Sequence, residues 1–388
     1  MNFEFWHLIV LPALFAAGWL CRGFDAKQRA GGAELPQTYS RGVSLLLSGE
    51  SDKAIDAFVE AVKLDPQQIE LHHVLGNLFR ARGDFERAIR LHRHIYNRAE
   101  LNDAERTAAL RELAEDYIQA GLFDRAEAAF RRLSEVPSEH LAALHRLLEI
   151  YVTEHEWQAA VDTAERLEAK AGENHSAEIA HFHCEKAEIA MKRKDFEAAD
   201  AEITLAVMQR STPRAPILAG RSAALQGNLE GAVRWWREVA QDYPEHSSLI
   251  IGELADAVYK LGDAAGAENL LRDTIARSDS VDAFEAALSR IAAWDGAEAA
   301  TTAARQMLQR QPSLSAFSAL MELKLKAAPD DADLKLLSGL LKRHARRLAR
   351  YQCRHCGFLA SNFAWHCLGC GAWDSFPPRR LEESKRGS

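Results

Sequence analysis

Four cysteines near the C-terminus are the residues of this chain best placed to do chemistry: Cys353-Arg-His-Cys356-Gly and Cys367-Leu-Gly-Cys370-Gly. Each Cys-x-x-Cys-Gly knuckle sets two thiolates on one tight turn, where backbone N–H groups can bond to sulfur and the glycine permits a positive φ. Two knuckles together supply a closed four-sulfur tetrahedron that suits zinc or iron. Ten residues separate Cys356 from Cys367, whereas the usual zinc-ribbon gap is about 15–20. The spacing therefore predicts a shortened hairpin with Phe358, Phe363, Trp365 and Trp373 as its core. So small a module, residues 351–378, cannot fold on burial alone, and a bound metal should hold it together.

Closed coordination leaves no position for water, which argues against hydrolysis. A redox role would need iron and an electron partner; a dithiol role would need the metal absent. The favoured reading is a structural knob docked on the last of the helical repeats before it. Elsewhere, His181-Phe-His-Cys184 puts residues 181 and 184 on one helix face, but two ligands on one helix do not close a site. That motif reads as a packed thiol with surface histidines nearby. His92 and His94, two apart, point in different directions. No nucleophile–base constellation emerges, so a protein that is not an enzyme is expected. Six cysteines, four of them in metal-like spacing, favour a reducing compartment.

The elements that must position these groups are helical. Residues 76–94 read as two short amphipathic helices meeting at Gly83-Asp84, the glycine ending one helix in the left-handed conformation and the aspartate capping the next. The unit recurs. With the small residue of the second helix as anchor, Ala54, Ala88, Ala126, Ala160, Ala199, Ala232 and Ala267 are separated by 34, 38, 34, 39, 33 and 35 residues. Twelve residues earlier stand Gly42, Gly76, Ala114, Leu148, Ala187, Gly220 and Ala255. Three residues before each anchor stand Ser51, Phe85, Phe123, Trp157, Phe196, Leu229 and Ala264, mostly large. A period near 34 with two small positions resembles the tetratricopeptide repeat. Ala299 and Ala332 continue the step, so about eight to nine repeats are expected over 38–350, the last ones degenerate. The expected fold is all-α: a superhelix of stacked helix pairs with a concave groove for a partner.

Register predicts which side chains face that groove. They lie on the first helices: His73, Asn77 and Arg80; Arg111, Glu115 and Gln119; His145 and Glu149; Cys184, Glu188 and Lys192; Arg221; Asp256 and Lys260. Polar groups of both signs suit a peptide or folded protein better than an apolar molecule.

Residues 5–21 form an uncharged apolar run, at 1.5 Å per residue about 25 Å long. Trp6 and Trp19 sit where an aromatic belt would place them. Arg22, Lys27, Arg29 and Arg41 follow the run, which predicts a single-pass anchor over 1–21 with its C-terminal side in the cytoplasm. A secretory signal, the main rival, would begin with Lys or Arg, and none precedes the run. Residues 22–37, with Gly31-Gly32 and Pro36, read as a juxtamembrane linker, and 379–388 as a tail. Net charge is −8, yet residues 342–380 hold eight Lys or Arg against Asp374 alone, so an array of −15 carries a C-terminal module of +7. That asymmetry argues against nucleic acid along the groove. The basic run from Lys342 to Arg354 could meet nucleic acid or anionic headgroups, and an anchor favours headgroups.

This order of parts resembles the lipopolysaccharide assembly protein B family of Gram-negative bacteria. Local stretches carry the resemblance too: Leu75-Gly-Asn-Leu-Phe-Arg-Ala-Arg-Gly83, Ala120-Gly-Leu-Phe-Asp-Arg-Ala-Glu127, Glu156-Trp-Gln-Ala-Ala-Val-Asp162, Ile179-Ala-His-Phe-His-Cys-Glu185, and Tyr351 to Trp373 with both knuckles. It implies an inner-membrane adaptor, repeats and metal domain facing the cytoplasm, that works with the FtsH protease. Its client would be LpxC, the deacetylase committing precursor to lipid A, and a membrane lipopolysaccharide-sensing regulator would oppose it. It also implies a rubredoxin-like centre at Cys353, Cys356, Cys367 and Cys370 that holds iron, with zinc the alternative, packs on the repeats and is needed for activity. Alternatives are a membrane-tethered scaffold for lipopolysaccharide assembly or transport enzymes, and a redox-active rubredoxin-like protein. Whether the chain forms a homo-oligomer is left open.

Overall fold

The computed structural model describes residues 37–64, 68–209, 212–310, 312–348 and 350–384. The apolar run over 5–21, the linker before Gln37, and Pro66 lie outside the described residues. Among the described residues no helix is long and apolar enough to cross a membrane.

The chain divides into two compact units, Met1–Ile150 and Tyr151–Ser388. Nine pairs of consecutive helices are described, eight of them packed antiparallel within one unit. They are α1 Gln37–Leu47 with α2 Ser51–Leu64, α3 Ile69–Ala81 with α4 Phe85–Tyr96, α5 Asp103–Gln119 with α6 Phe123–Leu133, and α7 His140–Glu154 with α8 Trp157–Ala171. Then come α9 Ser176–Lys192 with α10 Phe196–Met208, α11 Arg214–Leu225 with α12 Leu229–Asp242, and α13 Ile251–Lys260 with α14 Ala264–Arg277. The last are α15 Val281–Trp294 with α16 Ala297–Arg310, and α17 Leu314–Ala327 with α18 Ala332–Leu348. A 3₁₀ turn, Pro244–Leu249, precedes α13.

Small residues set the helix spacing. Ala54, Ala88, Ala126, Ala160, Ala199, Ala232 and Ala267 are all fully buried. One turn after three of these anchors a large ring lies over the partner helix's glycine: Phe58 on Gly42, His92 on Gly76 and Trp236 on Gly220. A Cβ at any of the three glycines would collide with that ring. Burial of these faces supplies most of the stability of such helices, since each is short for independent formation. The eighth pair departs from the expected register by one residue: Ala300, not Ala299, is the fully buried anchor, because the turn glycine is Gly296 and α16 starts at Ala297. Ala332 opens α18 instead of sitting a turn inside it.

The turn chemistry follows the sequence at Gly83 (φ 83) and Asp84, whose carboxylate accepts from the Arg87 amide. Three turns lack the glycine, among them those that lead into α8 and α10. There His155 (φ 60) and Lys194 (φ 61) take the left-handed conformation themselves, at a cost of roughly 1–2 kcal/mol each.

Candidate metal centre

β1 (Tyr351–Gln352) pairs antiparallel with β2 (Leu359–Ala360), Tyr351 facing Ala360 and Gln352 facing Leu359. A second bridge joins His366 to Trp373. Each hairpin end is a knuckle. Gly357 (φ 77) and Gly371 (φ 72) take the positive φ the turns need and donate to the Cys353 and Cys367 carbonyls at 3.0 and 2.8 Å. The Gly369 amide reaches the Cys367 sulfur at 3.3 Å.

The four sulfurs of Cys353, Cys356, Cys367 and Cys370 lie within 4.8 Å of one another. Cys353 Sγ is 3.8 Å from Cys370 Sγ, and Cys356 Sγ is 3.7 Å from Cys367 Sγ. A tetrahedron with metal–sulfur bonds of about 2.3 Å has edges of about 3.8 Å, so the donor set fits a tetrahedral metal. Burial raises Cys353, but hydrogen bonds from Ser375 and from the turn amides outweigh it and bring the thiol to about 5. The Ala372 amide lowers Cys370, yet burial and the neighbouring thiols push it up to about 12. Protons must therefore leave the cluster for all four sulfurs to bind. A metal here would supply the cross-link that fixes the hairpin. Cys353 and Cys367 are buried, whereas Cys356 and Cys370 are exposed.

The hairpin's own core is Tyr351, Cys353, Cys367 and Phe376, with Phe363 against it. This corrects the expected core. Phe358 is 40% exposed, and Trp373 and Trp365 pack on the array in the second unit, Trp365 while also meeting Phe363 edge-on at 4.8 Å. Trp373 stacks on His181 with ring centroids 4.7 Å apart and meets Trp157 and Phe182 edge-on at 6.3 and 5.9 Å. Trp365 stacks on His246 at 5.8 Å. His181 Nε2 lies 2.9 Å from the Asp374 carboxylate, and Asp374 holds φ 48 to present it. The expected surface histidines are thus buried: His181 has no exposed area, and His183 is bonded to Glu202 at 2.7 Å. Cys184, one turn along, is a packed thiol that burial pushes up to about 12.

A second contact ties the chain beyond the hairpin. Arg380 pairs with Asp282 and Glu285 on α15 at 2.6 and 2.7 Å. Tyr351 donates its hydroxyl to Asp282, and Glu383 in α19 (Leu381–Ser384) accepts from the Val281 amide at 3.0 Å. The module therefore docks on α15 of the eighth pair, as expected of the last repeats, and also on α8, α9 and the 3₁₀ turn in the middle of the array. Sequence reasoning missed His181, Asp374, Asp282 and Arg380 in this role. Two tryptophans in a module too small to bury both were the available signal.

The groove positions are mostly engaged along the array. In the first unit Arg80 binds Glu112 and the fully buried Asp116 at 2.6 and 3.0 Å and also donates to Asn77. Arg111 pairs with Glu139, and Arg146 joins Glu115 to Glu149. His73 is half-buried, its ring 5.5 Å from that of His92, and burial lowers its pKa. His145 is half-buried and Gln119 exposed. In the second unit Arg214 binds Glu185 and Glu188, Arg221 binds Glu253, and Asp256 binds Arg290, while Lys192 and Lys260 are exposed. These pairs join one first helix to the next or to the segment leading into it.

Residues 351–378 match a Rubredoxin metal binding domain, and residues 39–68 and 71–106 match Tetratricopeptide repeat families. The chain is 28% identical over 390 residues to lipopolysaccharide assembly protein B of Haemophilus influenzae, covering 97% of this chain and 98% of that one. It is 34% identical over 381 residues to lipopolysaccharide assembly protein B of Escherichia coli (strain K12), covering 96% of this chain and 97% of that one. Identity at that level along nearly the whole length of both chains places this chain in the lipopolysaccharide assembly protein B family.

Proposed function

We propose that the chain is a non-catalytic adaptor of the inner membrane, anchored by residues 5–21 with its repeats in the cytoplasm. It presents LpxC to the FtsH protease and so restrains lipopolysaccharide synthesis, opposed by a membrane regulator that senses lipopolysaccharide. The observation carrying this reading is the closed four-sulfur site clamped to the array through Trp373 and Asp374. A site with no open position is a clasp, and its place on helices 8 and 9 makes it a support for a binding surface. We assign iron to it. Exposed groove residues such as Gln119, Lys192 and Lys260 are the positions through which a protein client makes contact. An anchor beside a membrane protease raises the local concentration of whatever the array holds.

The test is the half-life of LpxC in the native host with the chain present, deleted, and carrying Cys353→Ser plus Cys356→Ser. Deletion is expected to lengthen the half-life, and the double cysteine variant to behave like the deletion. An unchanged half-life on deletion overturns the adaptor reading. Metal analysis of the purified chain, with the visible absorption of a ferric four-sulfur site, decides between iron and zinc.

A further inference from the structure

Arginines on α4 and α6 meet carboxylates of their own helix or turn: Arg87 binds Asp84 at 3.2 Å, Arg90 binds Glu86 at 3.6 Å and Arg131 binds Glu127 at 2.7 Å. Three arginines of the same two helices do not. Arg93 on α4, with Arg125 and Arg132 on α6, line one cavity of about 270 Å³, and among the described residues none of the three reaches a carboxylate at ion-pair distance. Rings hold two of them in place. Arg132 Nη1 donates to the Tyr96 hydroxyl at 3.4 Å, and the Arg125 guanidinium lies 5.9 Å from the centroid of the Tyr117 ring. Such contacts orient a cation without neutralising it. The floor is Leu110, Leu113 and Tyr117, on the side of α5 opposite Arg111, Glu115 and Gln119, so the cavity lies away from the groove.

No carboxylate lines the cavity. Glu86, Glu100 and Asp103 share these helix faces nearer the helix ends. The first two are engaged by Arg90 and Arg98, and Asp103 stands one turn from Arg106. Asp124 precedes Arg125, but consecutive helical side chains do not face each other, and Glu135 lies beyond the end of α6. Three positive charges therefore converge on one apolar-floored hollow with no negative charge among them.

We infer that this cavity binds a phosphate group, its oxygens held by Arg93, Arg125 and Arg132. The inference is independent of the adaptor reading. Geometry selects the ligand as well as charge. A carboxylate is satisfied by one guanidinium fork, whereas a terminal phosphate presents three oxygens and up to two charges, so several forks bind it together. The leucine floor excludes water from one side and strengthens each charge-assisted hydrogen bond. An apolar molecule would leave the three charges uncovered, and a two-fold copy of the surface would set them against their own images. The bearer is a soluble phosphate or the headgroup of a phosphomonoester lipid, and the terminal phosphate is the chemistry they share.

The full chain in phosphatidylcholine nanodiscs is titrated with inorganic phosphate, or with acetate at matched ionic strength, while hydrogen exchange of residues 93–98 and 125–133 is followed. A second arm replaces one-quarter of the lipid with phosphatidic acid, whose phosphate is terminal, or with phosphatidylglycerol, whose phosphate is bridged. Saturable slowing by phosphate and not by acetate is expected for a soluble source; slowing confined to the phosphatidic acid discs assigns the lipid headgroup. The variant Arg93→Gln plus Arg132→Gln is expected to weaken the response about ten-fold or more through the lost charge-assisted hydrogen bonds. Arg90→Gln, which removes the same charge one turn from Arg93, is expected to leave it unchanged, and both variants to keep their helix content and bound metal. No response to either phosphate source overturns the inference. Equal responses to phosphate and acetate, or to the two anionic lipids, overturn it by showing charge alone. An equal loss in Arg90→Gln, or protection that follows protein concentration, which would assign the face to a second copy of the chain, also overturns it.

Discussion

Each unit buries a histidine against a carboxylate, and the two pairs are built differently. In the first unit His92, fully buried, meets Asp116 at 2.6 Å, and the partners are 24 residues apart on α4 and α5. In the second, His181 meets Asp374 across 193 residues of chain. Asp116 arrives with the next repeat, so its pair forms wherever the helices stack. Asp374 arrives on a hairpin that cannot fold by burial alone. A buried polar group is strongly destabilising when its partner is removed. The first pair is therefore unconditional, and the second exists only while the four-sulfur site is intact.

The largest expected effect separates the two. Stripping the metal with a chelator, or substituting Cys353→Ser plus Cys356→Ser, removes a binding free energy of about 10–16 kcal/mol. It should unfold residues 351–378 and release Trp365 and Trp373 from their stacks. Tryptophan emission should shift red, and hydrogen exchange should rise in α8, α9 and the start of α15. Residues 69–119 should be unaffected. Loosening of both units together would break the comparison.

A smaller effect runs the other way. Arg80→Met leaves the buried Asp116 and its neighbour Glu112 short of their cation, a loss of about 3 kcal/mol. A denaturant melt followed by hydrogen exchange should place that loss in the first unit, with metal content unchanged. If Arg80→Met is neutral, the Arg80 network is not what secures Asp116.

The smallest effect concerns the segment after the hairpin. Burial pushes the Glu383 carboxyl up to about 7, above its value of about 4.5 in an unfolded chain. A raised carboxyl favours the docked state when protonated. Its stabilisation is full below pH 4.5 and is lost as pH rises through about 7. Glu383→Gln should therefore flatten this part of the pH dependence and gain about 1 kcal/mol at pH 8. Thermal melts of both proteins between pH 6 and 8 check it, and parallel curves would show that Glu383 does not titrate in this range.

The parts legible in the sequence are those fixed by neighbours. Alanine anchors one repeat apart are small because a partner helix always meets them, and the spacing of Cys353, Cys356, Cys367 and Cys370 already groups the sulfurs. What lay out of reach depends on distant surfaces. Trp365 and Trp373 look like hairpin core when only the hairpin is considered, and nothing local says that α8 and α9 take them instead. Groove arginines look free in one repeat, yet Arg221 with Glu253 and Arg290 with Asp256, 32 and 34 residues apart, are opposite charges one period apart. That periodicity of charge was present in the sequence and points to pairing along the array.

The span from His181 to Asp374 also sets an order of events during synthesis. A ribosome adding about 5–20 residues per second needs roughly 10–40 s to cover 193 residues. Throughout that interval Trp157, Phe182 and His181 have been made and their cover has not. The middle of the array is thus sealed late, and each nascent molecule presents a sticky aromatic surface until Trp373 and Asp374 emerge.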